Sequence, residues 1–340
     1  MLLVVNAGSS SLKLALFDGL VELRRGQVEE IGTGGHRVAL EGLLRDGFGQ
    51  GLTAAAHRVV HGGAGLTRAC RVDAGVVGAI AACVPLAPLH NPANLAGIRA
   101  VSALLPDLPQ VACFDTAFHA SNPDVAWRYA VPVAVQEAGI RRYGFHGLSF
   151  AAIVRKVKEL RETEVPSRLL ALHLGNGASL CAIKDGASVA TTMGYSPLDG
   201  LTMGTRAGSI DGNAVLRMAE LYGVEGAGRI LNRESGLLAL GGASDMRVLH
   251  RSEAGAFAVE HFCYWAVRHA GSMIAAMGGI DAMVFAGGIG ENDAAVRGAI
   301  VEGLKWAGEV PVWVFPADEE RQIAAEAWAL MAEQGGFAPP

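Results

Sequence analysis

Cysteine is scarce in this chain and follows no paired spacing. The five cysteines, Cys70, Cys83, Cys113, Cys181 and Cys263, form no CxxC pair. An odd number of scattered thiols argues against a disulfide framework and a structural zinc site, and it is typical of a reducing compartment. The start of the chain, MLLVVNAGSSS, also lacks the basic segment that opens a secretory signal. We therefore expect a cytoplasmic protein.

An excess of positive charge and a long unbroken apolar run are missing as well. The chain has 33 acidic residues against 28 lysines and arginines. Broad attraction to nucleic acid or to an acidic membrane is therefore not expected, and any bound anion must be held by a few placed groups. The charge-free segment 74–98 is long enough to span a membrane, but Pro85, Pro88 and Pro92 interrupt it. The sequence predicts neither a nucleic-acid partner nor a membrane partner.

The common nucleotide-binding motifs are absent, but a turn of small residues occurs twice. The chain contains neither GxxxxGK[ST] nor GxGxxG. Residues 6–19 (NAGSSSLKLALFDG) and residues 173–186 (HLGNGASLCAIKDG) each follow an apolar run, and Gly8 falls on Gly175 at an offset of 167 positions. Glycine and serine turns allow backbone N–H groups to approach a ligand, and Lys13 adds a positive charge. These features suit a phosphate chain, as does a third glycine turn at 287–290.

Strand-like segments alternate with helix-like segments along the chain, which predicts an α/β fold. Strands are expected at the N-terminus, over 53–63, over 110–119 with Asp115 and His119 at its tip, and over the corresponding parts of the second half. Helices are expected after Asn91, which would cap the first of them, after Asp211, over 254–278 and over 317–333. Asn292 or Asp293 would cap another helix. The repeated hairpin predicts two similar domains.

Eight segments together resemble the acetate kinase family, in the family's order and over nearly the whole chain. They are VVNAGSSSLKLALFDG, AHRVVHGG, APLHNPANL, FDTAFH, RYGFHGLS, LHLGNGAS, GLTMGTRAGSIDG and VFAGGIGEN. The resemblance implies an actin-like (ribonuclease H-like) α/β fold, with two duplicated domains and the nucleotide in the cleft between them. Residues 1–116 plus 317–340 would form domain I, closed by the C-terminal helix, and residues 117–316 would form domain II with the nucleotide site.

The resemblance also implies the reaction. An acetate kinase reversibly transfers the γ-phosphoryl group of ATP to acetate, or to another short carboxylate, and gives ADP and acetyl phosphate. Mg²⁺ would be the cofactor, with Mn²⁺ as an alternative, and the assembly would be a homodimer. A carboxylate substrate is already an anion at neutral pH and needs no general base. The catalytic task that remains is to neutralise charge on the transferring phosphoryl group.

The residues that match the family's motifs form four sets. The catalytic set comprises Asn6, Arg58, Asp115, His146 and Arg206. The metal set comprises Asn6, Asp115 and Glu319. The nucleotide-binding set comprises Ser9, Ser11, Lys13, His173, Gly175, Asn176, Gly177, Asp245, Arg247, Gly287, Gly288, Gly290 and Asn292. The substrate-binding set comprises Arg58 and the apolar Val60, Leu89, Phe145 and Pro197, which would surround the acyl methyl group.

Two positions depart from the family's usual pattern. Phe150 stands where a histidine is usual, and Ser209 stands where an aspartate is usual. The segment between Asp18 and His57 is also shorter than in typical relatives. None of these changes removes a member of the catalytic set, so an active enzyme is expected.

Three other functions stay open at this stage. Propionate or butyrate kinase is the nearest, because one methylene in an apolar pocket changes binding by only about 1–3 kcal/mol. A sugar kinase would use Asp115 as a base on a hydroxyl group, but an apolar pocket would leave sugar hydroxyls unpaired. A catalytically weak nucleotide-binding regulator would bind ATP without forming acyl phosphate.

Overall fold

Two sheets, each within its own part of the chain, organise the protein. The computed structural model describes residues 1–32, 34–161 and 165–333, which divide into two compact units. The first unit comprises Met1–Ala120, Gly147–Ala152 and the chain from Asp318 on, and the second comprises Ser121–His146 and Ile153–Ala317. The domain boundaries at residues 116 and 317 stay a prediction.

Eleven strands form these two sheets in the described part of the chain. They are β1 Leu2–Ala7, β2 Ser11–Asp18, β3 Val21–Glu29, β4 Ala54–Val59, β5 Cys70–Arg71, β6 Gln110–Phe114, β7 Arg168–Leu174, β8 Ala178–Lys184, β9 Ala187–Thr191, β10 Ala282–Ala286 and β11 Val312–Val314.

Thirteen α-helices accompany the strands in the same described ranges. They are α1 His36–Leu43, α2 Ala74–Ala82, α3 Asn91–Leu104, α4 Asp124–Trp127, α5 Val133–Glu137, α6 Gly147–Arg161, α7 Gly212–Arg233, α8 Gly236–Gly241, α9 Met246–Leu249, α10 Glu253–Met277, α11 Gly287–Asn292, α12 Ala294–Gly303 and α13 Glu319–Glu333. Three short 3₁₀ helices, at Val84–Leu86, Ala117–Ser121 and Lys305–Ala307, and a π-helical turn at Leu44–Phe48 complete the set. No described helix is both long enough and apolar enough to cross a membrane.

The two sheets repeat one topology. The first has the strand order β3-β2-β1-β4-β6-β5, and the second has β11-β10-β7-β8-β9. In the first, β1–β3 form an antiparallel meander and β4 and β6 follow in parallel beside β1. In the second, β7–β9 form the meander and β10 and β11 follow in parallel beside β7. The α/β class and the duplication predicted from the repeated turns are therefore confirmed.

The first sheet is covered on both faces. Side chains alternate between the faces along each strand, so Leu2 and Val4 pack with α13 while Leu3 and Val5 pack with α1 and α3. The neighbouring parallel strands follow the same alternation because their register is fixed, with Val4 opposite Ala56. Both faces are apolar, as is usual for a parallel sheet with helices on either side. Side chains of the predicted catalytic set lie where these apolar runs end.

Helix starts were predicted with mixed success. Asp211 accepts hydrogen bonds from the N–H groups of residues 213 and 214 and caps α7, and Asp293 caps α12, as expected. Asn91 does not cap α3 but is its first helical residue, with His90 at the cap position. Its side chain is turned to the backbone of His61 instead. The glycine turn expected at 287–290 is the short helix α11.

A buried histidine connects three elements of the first unit. His57 on β4 is 1% exposed, and its Nε2 lies 2.8 Å from Gln110 Oε1 on β6. The Gln110 amide in turn donates to Ser102 Oγ on α3 over 2.9 Å. Burial lowers the pKa of His57 from 6.5 to about 4, against the smaller opposite effect of Gln110. The ring is therefore neutral in the folded protein at pH 7.

This depressed pKa makes stability fall on acidification. Unfolded His57 binds a proton near pH 6.5, whereas folded His57 does so only near pH 4, so its contribution is complete above pH 6.5 and is lost as the pH falls toward 4. We expect His57→Gln to remove about 3 kcal/mol of the decline in unfolding free energy across that range. Urea unfolding at several pH values measures this. Parallel pH profiles for the two proteins would contradict the prediction.

Candidate active site

Polar side chains replace apolar ones at the carboxyl ends of three strands of the first sheet. Asn6, Arg58 and Asp115 continue the α13-facing series of β1, β4 and the residue after β6. Asn6 is paired with Lys13 across the β1–β2 hairpin, and Lys13 is exposed. Strand alternation therefore directs four side chains of the predicted catalytic and nucleotide sets to one edge of one sheet face.

Arg58 is held by two carboxylates of its own unit. Its Nε lies 3.2 Å from both oxygens of Asp115, and its Nη2 lies 2.8 Å from Asp115 Oδ2. On the other side, Nη1 lies 3.1 Å from Glu319 Oε2, in the first residue of α13. The structure thus brings together three residues that are widely separated in sequence. The resemblance had assigned all three to the site.

This cluster carries one more negative than positive charge. Asp115 is 2% exposed. Its burial raises the pKa of the carboxyl group and Glu319 adds to the rise, while Arg58 opposes it. Burial alone would lower the pKa of Arg58, but the charges of Asp115 and Glu319 and the hydrogen bond to Asp115 outweigh it and raise the pKa. The two carboxylates therefore have an unmet demand for positive charge.

The donor set of this cluster fits a magnesium ion. No three His, Cys, Asp or Glu side chains cluster as a metal site among the described residues. Mg²⁺ usually takes only one or two carboxylates and completes its shell with water and substrate phosphates. Asp115 and Glu319, with the amide oxygen of Asn6 at the same edge, are hard oxygen donors of this type.

Two asparagines that the sequence reasoning did not assign to the site hold its loops. Asn94 accepts from Val60 N at 3.0 Å and donates to Ala7 O at 2.9 Å, so it joins the ends of β4 and β1. Asn91 accepts from His61 N at 3.1 Å and donates to His61 O at 3.0 Å. Both are buried residues of α3. Their signal was the segment HNPAN, which indicated only a helix start.

The second unit gathers another part of the predicted set around His146. This residue adopts a left-handed backbone conformation, with φ of 59°, which is uncommon for a residue with a side chain. Its Nδ1 lies 2.8 Å from Ser179 Oγ on β8, and its ring stacks on that of His173 with centroids 4.2 Å apart. Sequence reasoning did not assign Ser179 to the site, because a serine next to a small-residue turn is readily explained as part of that turn.

Arg206 belongs to the same group but has no carboxylate partner among the described residues. Its Nη1 donates to the Pro197 carbonyl at 3.1 Å and lies near Met203 Sδ. A Cβ on Gly177 would lie 3.2 Å from His146 Nε2 and 3.5 Å from Arg206 Nη1, so both side chains lie beside the second small-residue turn. Burial lowers the pKa of Arg206. An arginine so placed is suited to bind an anionic ligand.

The loop that carries Arg206 is fixed by its own backbone. Leu237 N donates to Met203 O at 2.8 Å, and Ser235 N donates to Thr205 O at 3.1 Å. Gly236 has a φ of 67°, and a Cβ there would collide with Met203 O, so only glycine lets α8 lie this close to the loop. A collision between a Cβ on Gly204 and Asn176 Oδ1 shows a similarly close approach to the second small-residue turn.

The glycines of both turns in the second unit lie at one sheet edge. β7 and β10 are parallel neighbours, with His173 opposite Ala286, so Gly175 and Gly288 follow strands that end together. A Cβ on Gly175 would lie 3.8 Å from Gly288 N. Gly287 N and Ala317 N both donate to Glu291 Oε1, at 3.1 and 2.8 Å. Glu291, which sequence reasoning did not assign, therefore anchors the start of α11.

The other residues of the predicted nucleotide-binding set are held less tightly than those around the two small-residue turns. Asn292 donates to Gly288 O at 2.9 Å within α11. Asp245 caps α9 and binds Arg247, whose side chain is 85% exposed. Hydrogen bonds from Arg247 lower the pKa of Asp245 to about 2. The side chains of Asp245 and Arg247 bind each other, and no described contact joins them to the His146 group.

The apolar residues that are predicted to bind the substrate belong partly to the first unit and partly to the second. In the first, Val60 follows β4 and is buried, whereas Leu89 precedes α3 and is 41% exposed. In the second, Phe145 is buried next to His146, and Pro197 offers its carbonyl to Arg206.

The two departures from the family pattern are accommodated without unpaired groups. Phe150 is fully buried in α6 and packs edge-on against His119 at 5.7 Å. Ser209 donates to Asp199 Oδ1 at 2.7 Å, and Arg142 Nη1 lies 3.2 Å from Asp199 Oδ2. A carboxylate from another position thus lies beside Ser209.

Replacing either of the two arginines is expected to change stability by very different amounts. Arg58→Met leaves Asp115 and Glu319 without their shared cation, so we expect the unfolding free energy to fall by about 3 kcal/mol. Arg206→Met strands no carboxylate among the described residues and should change it by no more than about 1 kcal/mol. The Arg58→Met deficit should shrink as the pH falls, because protonation of Asp115 removes the repulsion. Urea unfolding of both variants at pH 8 and pH 5 tests this, and equal losses would refute it.

Comparison with known proteins gives a consistent result at the sequence level. The Acetokinase family profile matches residues 48–326. An acetate kinase from Pseudomonas aeruginosa is 41% identical over 97% of this chain and 98% of its own length. One from Micrococcus luteus is 40% identical over 97% and 99%. The alignment with the first spans 388 positions, more than the 340 residues of this chain, so that relative has segments that this chain lacks.

Comparison with solved structures gives the same result as comparison with sequence relatives. An acetate kinase from Porphyromonas gingivalis has a TM-score of 0.90 with 32% identity, covering 97% of this chain and 99% of its own. A propionate kinase from Francisella tularensis has a TM-score of 0.88 with 32% identity, covering 96% and 98%. A ROK hexokinase from Thermus thermophilus, at 0.50 and 15% identity over 98% and 99%, shows likeness of fold alone, as expected for duplicated actin-like domains. The chain belongs to the acetokinase family.

Proposed function

We propose that this protein is an acetate kinase, which transfers the γ-phosphoryl group of ATP reversibly to acetate. The observation that carries the proposal is the contrast between two arginines. Arg58 is already neutralised by Asp115 and Glu319, whereas Arg206 lies beside His146 and a small-residue turn with no described carboxylate partner. A positive charge held ready in this way suits the phosphoryl group that moves between two anionic oxygens. Sequence relatives named acetate kinase support the same reaction.

The reaction needs no proton transfer. A carboxylate oxygen of acetate forms a bond to the γ-phosphorus, and the bond from that phosphorus to the β–γ bridging oxygen breaks, with its electron pair leaving on ADP. In the transition state, charge is spread over the equatorial oxygens of the phosphoryl group. Stabilising this charge is the main task of catalysis. Arg206 would neutralise it with two or more N–H groups. His146 would donate from Nε2 when Ser179 donates to Nδ1 and fixes that tautomer.

Asn6, Asp115 and Glu319 would hold Mg²⁺, or Mn²⁺, together with the nucleotide. Bound there, the ion would withdraw charge from the phosphate oxygens. In addition to binding the acceptor, Arg58 would position these ligands, because it joins the two carboxylates and keeps them from separating. The excess negative charge of the cluster supports the assignment.

The backbone turns would bind the nucleotide. Ser9, Ser11 and Lys13 of the first unit would contact phosphate oxygens, as would His173, Gly175, Asn176 and Gly177 of the second. Gly287, Gly288, Gly290 and Asn292, with Asp245 and Arg247, would contact the adenosine. The adjoining backbone of Gly175 and Gly288 supports a phosphate next to a nucleoside in the second unit.

The acyl pocket would be formed by Val60, Leu89, Phe145 and Pro197, with Arg58 binding the carboxylate. Acetate is the expected acceptor because the sequence relatives carry that name. Propionate is the second candidate, favoured by the close structural match to a propionate kinase.

A homodimer is the proposed assembly. Phe257 and Tyr264 on α10 are 58% and 61% exposed, and they lie seven residues apart on one helix face. Gly271, seven residues further, lies under Trp306, which is 67% exposed. Exposed aromatic side chains placed in this way are suited to pack against a second copy of the chain. Such a soluble dimer would belong in the cytoplasm.

An acceptor panel tests the reaction. We expect hydroxylamine to trap an acyl phosphate from ATP and acetate when Mg²⁺ is present and not when it is chelated. Propionate should give a kcat/KM about tenfold lower, since one methylene changes it about 10–200-fold. ADP release with glucose and no hydroxamate would instead establish a sugar kinase. ATP binding with no turnover of any acceptor would establish a regulator.

The role of Arg206 has its own test. Arg206→Ala should lower kcat for acetate about 100- to 1,000-fold, because one preorganised donor to the transition state is lost. The KM for ATP should change by less than about threefold, since that donor acts on charge that develops during transfer. Arg217→Ala is the matched control, because Arg217 is an exposed arginine paired with Glu220 on α7. A normal kcat in Arg206→Ala would remove this arginine from the mechanism.

A further inference from the structure

The first small-residue turn is tied to the protein through its carbonyl groups. Asn94 donates to Ala7 O at 2.9 Å, and Ile31 N donates to Ser10 O at 2.9 Å. Gly8 N closes the turn on Ser11 O at 2.8 Å. A carbonyl that accepts a bond from the protein cannot turn toward a bound anion, which it would repel. The turn is therefore held with these oxygens directed inward.

His36 supplies the remaining contact to this turn. It is the first residue of α1, is 6% exposed, and its Nε2 lies 2.8 Å from Gly8 O. A carbonyl oxygen only accepts, so Nε2 must carry the proton. No family motif described above includes this residue, which lies in the shortened segment between Asp18 and His57.

The other ring nitrogen indicates why a histidine is present. Nδ1 is buried and has no hydrogen-bond partner among the described residues. Burying an unpaired polar atom is unfavourable, and an apolar side chain would fill the space without that loss. Packing alone therefore does not explain His36, whereas its bond to Gly8 does.

The local chain is built to place this ring. Gly35 precedes α1, and a Cβ there would lie 2.6 Å from Ile31 Cγ2, so only glycine lets the helix begin this close to Ile31. One turn later, Leu40 is fully buried with Leu12 and Leu14 of the β2 strand. His36 and Leu40 thus lie on the same buried face of α1. His36 contacts the first small-residue turn, and Leu40 packs in the core.

We infer that His36 is a positioning residue for nucleotide binding: its Nε2–H bond to Gly8 O, together with the bonds to Ala7 O and Ser10 O, keeps these carbonyls turned inward and leaves the turn's remaining N–H groups to the phosphate chain of ATP. The inference rests on the proposed function for the identity of the ligand. It assigns His36 no contact with substrate. His36 acts through the backbone of Gly8.

Two variants at this position separate the hydrogen bond from packing. His36→Gln retains an N–H donor at nearly the same reach, and His36→Met fills the space without one. We expect His36→Met to weaken ATP binding about three- to tenfold, the worth of one hydrogen bond. His36→Gln should stay within about twofold of the parent, a rescue that a purely structural role would not give. Isothermal titration with ATP and Mg²⁺, without acetate, measures this. The KM for acetate should not change.

Leu40→Ala is the matched control. It loosens α1 in the core but keeps the His36 donor, so it should lower stability while weakening ATP binding less than His36→Met does. Hydrogen exchange of the peptide spanning residues 6–12, without nucleotide, should be faster in His36→Met than in His36→Gln. Unchanged exchange and unchanged ATP affinity in His36→Met would overturn the inference. A parent enzyme that makes no acyl phosphate would overturn the proposed function alone, because the exchange experiment needs no turnover.

Discussion

A partly buried arginine must be neutralised, and the two arginines of this protein meet that need in different ways. Arg58 is bonded on both sides, to Asp115 and to Glu319, so its charge is used within the fold. Arg206 is held by a carbonyl and by the backbone of its loop, with no carboxylate among its described contacts. The first arrangement gives a rigid pair of carboxylates suited to a divalent cation. The second gives a cation that no described carboxylate neutralises and that is therefore suited to an anionic ligand.

The duplicated sheet explains where these groups arise. In both units a hairpin with a small-residue turn is followed by strands parallel to its first strand, so functional residues come at the carboxyl ends of neighbouring strands. Parallel strands in register bring those ends to one edge. The two edges nevertheless carry different groups. The first unit has the side chains of Asn6, Arg58 and Asp115 there, and the second has glycine-lined backbone. The two units therefore share one strand topology and differ in the side chains at a few strand ends.

Much of this could be predicted from the sequence, but for unequal reasons. The repeated turns gave the α/β duplication directly, because turn chemistry and apolar runs are local. The contact of Arg58 with Glu319 could not come from spacing, since 261 positions separate them and only the fold brings α13 to β4. The Asn91 cap was wrong because a buried bond to His61 outweighed the local preference for asparagine at a helix start. Ser179, Glu291 and Asn94 lie in the segments that resemble the family, and His36 lies outside them. The sequence did not show the role of any of the four, since each acts on a partner that only the folded chain supplies.

The departures from the family pattern show which parts of the site tolerate change. Phe150 is enclosed beside His119, where an aromatic ring can replace an imidazole without an unpaired group. Ser209 lies next to Asp199, whose carboxylate also binds Arg142, so negative charge persists beside the Arg206 loop although position 209 has lost it. Both changes lie where the environment, and not one residue, supplies the interaction. Arg206 differs, because it is itself the cation beside His146 and Gly177, and its hydrogen bonds go to the Pro197 carbonyl and to Met203 Sδ.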